Sequence, residues 1–222
     1  MSETTEPAGT RPKGAGFLLA ILCLANFMAT LDLFVVNVAL RDIGTHFGGS
    51  ALSNVSWVLN AYAIVFGALL IPAGRAADRF GRKGAFITGL VVFTIASAAC
   101  AVAPTFWALV GFRCLQAVGA AILVPSSLGL VLTALPPGRV PGGVRAWAVT
   151  AAVGGAAGPV IGGLLTEADW RWIFIVNLPV GAATIAATAR RVPAIRQDLA
   201  ARIPDPVESL LVIVAVAALS LG

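Results

Sequence analysis

The stretch Gly74-Arg-Ala-Ala-Asp-Arg-Phe-Gly-Arg-Lys83 lies between two long apolar runs, 57–73 and 85–103. It holds four basic residues and one aspartate within ten positions. Charged side chains are strongly disfavoured in the hydrocarbon of a bilayer, so this stretch must lie in water. We therefore predict that it forms a very short loop between two membrane-spanning helices.

The composition of the whole chain indicates a membrane protein. Of its 222 residues, 59% are hydrophobic and 11% are charged, and the mean hydropathy is +0.93, whereas soluble domains carry about 25% charged residues. The net charge of +5 does not indicate nucleic-acid binding, because the basic residues lie between apolar runs. Cys23, Cys100 and Cys114 fall inside such runs without a metal-binding pattern, so we expect neither a metal site nor a disulfide.

Six apolar runs are long enough to cross a membrane, which takes about 20 residues. They are approximately 17–40, 57–73, 85–103, 106–128, 146–165 and 173–189. Another apolar run begins near residue 207 and reaches the last residue, Gly222. That run gives only about 24 Å of helix, less than the ~30 Å hydrocarbon core.

These runs predict an all-α polytopic membrane protein. We expect a flexible cytoplasmic tail over 1–16, a six-helix bundle over 17–189, a cytoplasmic linker over 190–206 and a truncated seventh helix over 207–222. The first sixteen residues contain no apolar stretch of the kind that a cleaved signal peptide requires.

The basic residues between the runs predict which side of the membrane each segment occupies. On one side lie Arg11, Lys13, Arg75, Arg79, Arg82, Lys83, Arg139, Arg145, Arg190, Arg191, Arg196 and Arg202. The opposite side carries only Arg41 and Arg171. Because basic residues accumulate in cytoplasmic loops, we expect a multi-pass protein of the inner (plasma) membrane with a cytoplasmic N-terminus.

Two charged residues fall inside the predicted spans. Asp32 lies in the first span and Arg113 in the fourth, at similar depths below the same interface. If these helices are neighbours, the two charges reduce each other's desolvation cost, and a proton on Asp32 releases Arg113. Gln116 shares the helical face of Arg113 and extends the polar stripe. An interhelical contact with only a structural role stays an alternative for Asp32, as does a lone snorkelling side chain for Arg113.

The fifth span contains glycines at every fourth position, with a proline among them. Gly154, Gly158 and Gly162 form one smooth face, Gly163 follows, and Pro159 removes a backbone hydrogen bond. Such a face allows another helix to approach closely, so the pattern predicts at least a packing seam.

Several of these stretches resemble motifs of the major facilitator superfamily of transporters. Residues 74–83 resemble its cytoplasmic gating motif, 113–119 its R-x-x-Q-x-x-G motif, and 154–163 the Gly-Pro-x-x-Gly-Gly motif of antiporters. Residues 31–40 and 170–181 resemble the fourteen-helix branch of drug:proton antiporters. Together they cover nearly the whole chain and imply the N-terminal half of such a protein.

The resemblance also implies roles for individual residues. The gating motif would comprise Gly74, Asp78, Arg79, Gly81, Arg82 and Lys83, with Asp78 and Arg82 in a charge network that latches the outward-facing state. Arg113 would couple protonation to substrate movement, and Asp32 would bind a proton or a cationic substrate. Gly158 and Pro159 would help to prevent leakage towards the cytoplasm.

The resemblance implies proton-driven export of drugs or antibiotics across the lipid bilayer, with a small lipophilic or cationic substrate and no cofactor. Two alternatives stay open. The chain assembles with a separate second half or a second copy of itself, or it is a remnant that transports nothing. No nucleophile with a base and no phosphate-binding loop is evident, so we do not expect an enzyme.

Overall fold

A computed structural model describes residues 14–48 and 55–191, and these residues form an all-α bundle. Six helical segments in this part are long and apolar enough to cross a membrane. The helices are α1 Ala15–His46, α2 Trp57–Phe80, α3 Arg82–Ala101, α4 Phe106–Ala134, α5 Val140–Thr166, α6 Trp172–Ile175 and α7 Asn177–Arg191, with a 3-10 turn at Pro137–Arg139. Together α6 and α7 form the sixth span. The predicted linker and seventh helix lie outside the described residues, apart from the end of α7.

The charged stretch 74–83, for which we predicted a loop, is almost entirely helical. Helix α2 continues to Phe80 and α3 begins at Arg82, so only Gly81 separates them. Gly81 has a φ of 107°, which favours glycine because a side chain is strained there. Charges need to leave the hydrocarbon but not the helix, and the Asp78–Arg82 ion pair links the end of α2 to the start of α3 across Gly81.

Helix α4 packs against both α2 and α3, while α1 packs against α5, and α7 packs against α3 and α1. Two apolar clusters form the core. One includes Leu22, Phe86 and Leu123, towards the end where the described chain begins. The other includes Ile43 and Leu109, towards the opposite end. The buried polar residues described below lie between these two clusters.

Glycines allow the closest helix contacts. A Cβ atom added to Gly119 of α4 would lie 2.5 Å from the backbone nitrogen of Phe93 on α3, and one added to Gly89 would lie 2.7 Å from the nitrogen of Leu123. Both are closer than any real Cβ contact, so α3 and α4 cross at a distance that only glycine permits.

Helices α2 and α5 lie at the periphery. In the most apolar 18-residue stretch of each helix, only 22% of the residues of α2 and 17% of those of α5 are buried, compared with 61% for α1. Helix α5 exposes Val149, Val153, Val160 and Leu164. An apolar face of this size on a membrane protein meets lipid or another helical bundle.

The α3–α4 crossing generates a prediction about stability. We expect Gly119→Ala to lower the free energy of unfolding by about 1–3 kcal/mol, because the added methyl overpacks the crossing. The measurement is reversible unfolding in detergent micelles. Gly111→Ala is the matched control, since this glycine also lies on α4 and has no atom within 4 Å of an added Cβ. Equal effects of the two substitutions would contradict the crossing.

Candidate functional site

The two intramembrane charges form a buried ion pair. Nη1 of Arg113 on α4 lies 2.6 Å from Oδ2 of Asp32 on α1. Both side chains are fully buried. The sequence predicted similar depths for these residues, and the structure adds that their helices are close enough for direct contact.

Three further polar side chains complete the surroundings of Asp32. The amide nitrogens of Gln116 on α4 and Asn177 on α7 each donate a hydrogen bond of 2.9 Å to Oδ1 of Asp32. The same two nitrogens donate to the hydroxyl of Ser97 on α3, at 2.6 Å and 3.3 Å. Arg113 donates from Nη1 to Oε1 of Gln116 at 2.6 Å. We call these five residues the polar network; it joins α1, α3, α4 and α7.

Aromatic rings line one side of Arg113. Its guanidinium carbon lies 4.1 Å from the centroid of the Tyr62 ring on α2 and 5.8 Å from that of Phe174 on α6. Contact with a ring face partly compensates a cation for its lost hydration. Nε and Nη2 of Arg113 have no hydrogen-bond partner among the described residues. The guanidinium therefore keeps donors that the carboxylate does not use.

The hydrogen bonds around Asp32 are those of a buried carboxylate. In every described hydrogen bond of the Asp32 carboxyl group, its oxygen accepts from an N–H group of the partner. This is the pattern expected of the ionised form. A buried ion pair contributes little net stability, because desolvation offsets the attraction. Ionisable groups at this depth therefore indicate a functional site.

Small residues and a proline bring Asn177 to this position. A Cβ on Gly181, one turn after Asn177, would collide with the hydroxyl of Thr94 on α3, so glycine brings α7 against α3. Pro179 lacks the N–H that would bond to the carbonyl of Ile175. The sixth span accordingly lacks one helical hydrogen bond at this point, while Val176 keeps helical backbone angles.

The gating-motif residues lie at one end of the bundle, where α2 meets α3. Nε of Arg82 lies 2.7 Å from Oδ1 of Asp78, and its Nη1 donates at 2.7 Å to the carbonyl of Gly129 on α4. Any Cβ on Gly129 would lie 2.8 Å from Cδ of Arg82.

The other residues of the gating motif lie nearby. Arg79 lies over the ring of Phe80. Gly74 packs against Pro125 of α4. Lys83 is the second residue of α3.

The glycine motif of α5 faces α1. Added Cβ atoms on Gly154, Gly158 and Gly162 would lie 2.6–2.9 Å from atoms of residues 27, 34 and 35 of α1. A Cβ on Gly163 would have no atom within 4 Å, and Pro159 is exposed. This is the packing seam that the sequence predicted, and none of these five residues contacts the polar network through a described hydrogen bond.

The sequence analysis did not identify Ser97, Asn177 and Tyr62. Ser97 and Asn177 are polar residues inside apolar runs, and Tyr62 is the single tyrosine of the chain. Polar groups inside a span usually find partners on neighbouring helices, so these residues could have been candidates. Their shared contact with one ion pair depends on helix neighbours, which the sequence does not specify.

The ion pair predicts a characteristic double-mutant cycle. Asp32→Leu should lower the free energy of unfolding by about 3–5 kcal/mol, because Arg113 is left buried without its counter-charge. Adding Arg113→Met should recover most of that loss. Reversible unfolding in detergent measures both values. Asp42→Leu, at an exposed position of α1, should change stability by less than about 0.5 kcal/mol. Additive losses in the double variant would show that the two charges do not interact.

Comparisons with known proteins agree with this architecture. The Major Facilitator Superfamily model matches residues 22–220. The methylenomycin A resistance protein of Streptomyces coelicolor is 39% identical over 223 residues, covering 99% of this chain and 46% of that protein. The tetracenomycin C resistance and export protein of Streptomyces glaucescens is 35% identical over 184 residues, covering 82% and 34%.

A solved structure shows the same fold. The crystal structure of the peptide transporter POT in complex with sulfate superposes with a TM-score of 0.70 at 18% identity, over 97% of this chain and 46% of that one. The chain thus spans less than half the length of each of these proteins. On the family match and the identity with these relatives, the chain belongs to the major facilitator superfamily.

Proposed function

We propose that this chain forms the N-terminal bundle of a proton-driven exporter of drugs or antibiotics, of the fourteen-helix type. The observation that carries the proposal is the buried ion pair between Asp32 and Arg113. A carboxylate held inside a membrane bundle can take up a proton from one side and release it to the other. The names of the relatives, which include antibiotic resistance and export, support the direction and the substrate class.

The proposed coupling depends on competition for Asp32. While the carboxylate is ionised, it accepts hydrogen bonds from Arg113 and from two amides. A proton on Asp32 removes the attraction to Arg113, whose Nε and Nη2 already lack partners among the described residues. Arg113 then keeps its hydrogen bond to Gln116 but can offer its other donors to new acceptors, and the helices that the pair joined are free to separate.

The two remaining motifs receive roles that their contacts support. Asp78, Arg82 and the carbonyl of Gly129 form a link between α2, α3 and α4, and we propose that it holds the cytoplasmic end closed in the outward-facing state. The close α1–α5 seam at Gly158, with Pro159 beside it, would keep protons and solutes from leaking through the bundle.

We further propose insertion in the inner membrane with the N-terminus in the cytoplasm. The support is the distribution of basic residues. Arg75, Arg79, Arg82 and Lys83 lie at the same end of the bundle as the start of α1. In the part of the chain that the structure describes, only Arg41 and Arg171 lie towards the other end. Such a distribution favours the basic end in the cytoplasm.

The working transporter on this proposal contains a second bundle. The relatives are more than twice as long as their matched parts, and the apolar faces of the peripheral helices α2 and α5 give a second bundle a surface to contact. Transport by this fold requires one bundle to rock against another. The second bundle is further sequence, a separate chain or a second copy, and a remnant without transport is the competing alternative.

Proton-driven efflux of ethidium tests the proposal. We expect cells that express the chain, alone or joined to the C-terminal bundle of its methylenomycin A resistance relative, to export the dye when a proton gradient is present. Asp32→Asn should lower this efflux on the order of tenfold or more, because it removes the proton-binding carboxylate.

Two controls make the efflux test specific. Asp42→Asn changes an exposed carboxylate on the same helix and should leave efflux unchanged. Membrane levels of all variants are measured by immunoblot. Efflux that persists in Asp32→Asn would overturn the coupling role, and an inserted protein that moves no dye in either format would favour the remnant or another substrate.

A further inference from the structure

The amide of Asn177 is placed differently from the other members of the polar network. Gln116 is fixed in one orientation, because its oxygen accepts from the guanidinium of Arg113 while its nitrogen donates to Asp32 and Ser97. If this amide turned over, an NH2 group would face the guanidinium, donor against donor. Its orientation therefore does not depend on the charge of Asp32.

Both described hydrogen-bond partners of the Asn177 side chain can change between donor and acceptor. Its nitrogen donates to Oδ1 of Asp32 and to the hydroxyl of Ser97. A carboxyl group becomes a donor when it binds a proton, and a serine hydroxyl both donates and accepts. A turned Asn177 amide could thus accept from both partners, so it is the one amide of the network that can follow the protonation of Asp32.

A proton on Asp32 needs such an acceptor. The described partners of its carboxylate, Arg113, Gln116 and Asn177, are all donors. A buried O–H without an acceptor pays its full desolvation cost. Besides Arg113, the titratable groups near Asp32 among the described residues are Tyr62 on α2 and Cys100 on α3. The described contacts that α5 and α7 make with α1 near Asp32 involve glycines and the Asn177 amide.

The sixth span lacks one backbone hydrogen bond beside this amide. Helix α6 ends at Ile175, α7 begins at Asn177, and Pro179 leaves the carbonyl of Ile175 without its usual donor. A change in the hydrogen bonds of Asn177 therefore acts next to a proline, where helices bend more easily.

We propose that Asn177 is the positioning residue that transmits the protonation of Asp32 to the sixth span. With Asp32 ionised, the Asn177 amide donates to it and ties α7 to α1 and α3. When Asp32 binds a proton, the new O–H and the hydroxyl of Ser97 both donate to the oxygen of the turned amide. The NH2 group has then turned away from both residues and needs a new acceptor, which draws α7 to a new position. This inference rests on the proposed proton coupling and adds the residue through which the sixth span responds.

Isotope-edited infrared difference spectroscopy tests the proposal without any substrate. The whole chain, labelled with side-chain ¹³C asparagine and placed in lipid nanodiscs, is titrated from neutral to acidic pH. We expect a carboxylic-acid band of Asp32, identified by its loss in Asp32→Asn, and at the same pH a shift of one labelled amide carbonyl band. That shift should be lost in Asn177→Leu and in Asp32→Asn.

Matched variants separate coupling from folding. Thr184→Val also alters a buried polar residue of α7, whose hydroxyl donates only to the carbonyl of Val180, and it should keep the shift. Asn177→Gln keeps an amide and, with side-chain ¹³C glutamine as the label, should restore a carbonyl shift that Asn177→Leu loses. Circular dichroism confirms that each variant is folded.

The failures of the two proposals are distinguishable. An Asp32 band without an Asn177-dependent amide shift would overturn the role of Asn177 and leave proton binding by Asp32 intact. Absence of any Asp32 band over the titration would contradict both. A shift that persists in Asn177→Leu would assign the response to another asparagine and overturn the inference.

Discussion

The contact between Asp32 and Arg113 is the constraint on which the rest of the bundle depends. Two opposite charges are fully buried where a membrane supplies no water, so neither can be accommodated without the other and without amides that satisfy the remaining lone pairs. This requirement fixes the rotation of α1 and α4 and draws in Ser97 and Asn177 from α3 and α7. The helices pack as they do partly because these polar groups have to meet.

Glycine makes these meetings possible. An added Cβ would collide with the backbone of α3 at Gly119 and with the side chain of Thr94 on α3 at Gly181. These close approaches bring Gln116 and Asn177 to Ser97. Dispersion contacts at such seams replace the hydrophobic effect, which does not drive helices together in lipid. Close packing and the buried polar contacts therefore depend on each other. The small residues allow the helices to lie close together, and the polar side chains form hydrogen bonds across these short distances.

Much of this arrangement could be predicted from the sequence. Hydropathy identified the six spans and charge identified Asp32 and Arg113, because both depend on the cost of placing single residues in hydrocarbon. The helical ends were less predictable, as at Phe80, where charged residues extend a helix into water. The roles of Ser97 and Asn177 could not be predicted, since one polar side chain in a span does not reveal which neighbouring helix it faces.

The central claim is that Asp32 and Arg113 are in direct contact within the membrane. Solid-state NMR on the protein in lipid bilayers, with ¹³C-labelled aspartate and ¹⁵N-labelled arginine, measures this contact through the dipolar coupling between the carboxyl carbon and the guanidinium nitrogens. We predict a strong coupling that disappears in Asp32→Asn, matching the 2.6 Å between Nη1 and Oδ2. A spectrum without a coupling that depends on Asp32 would contradict the account.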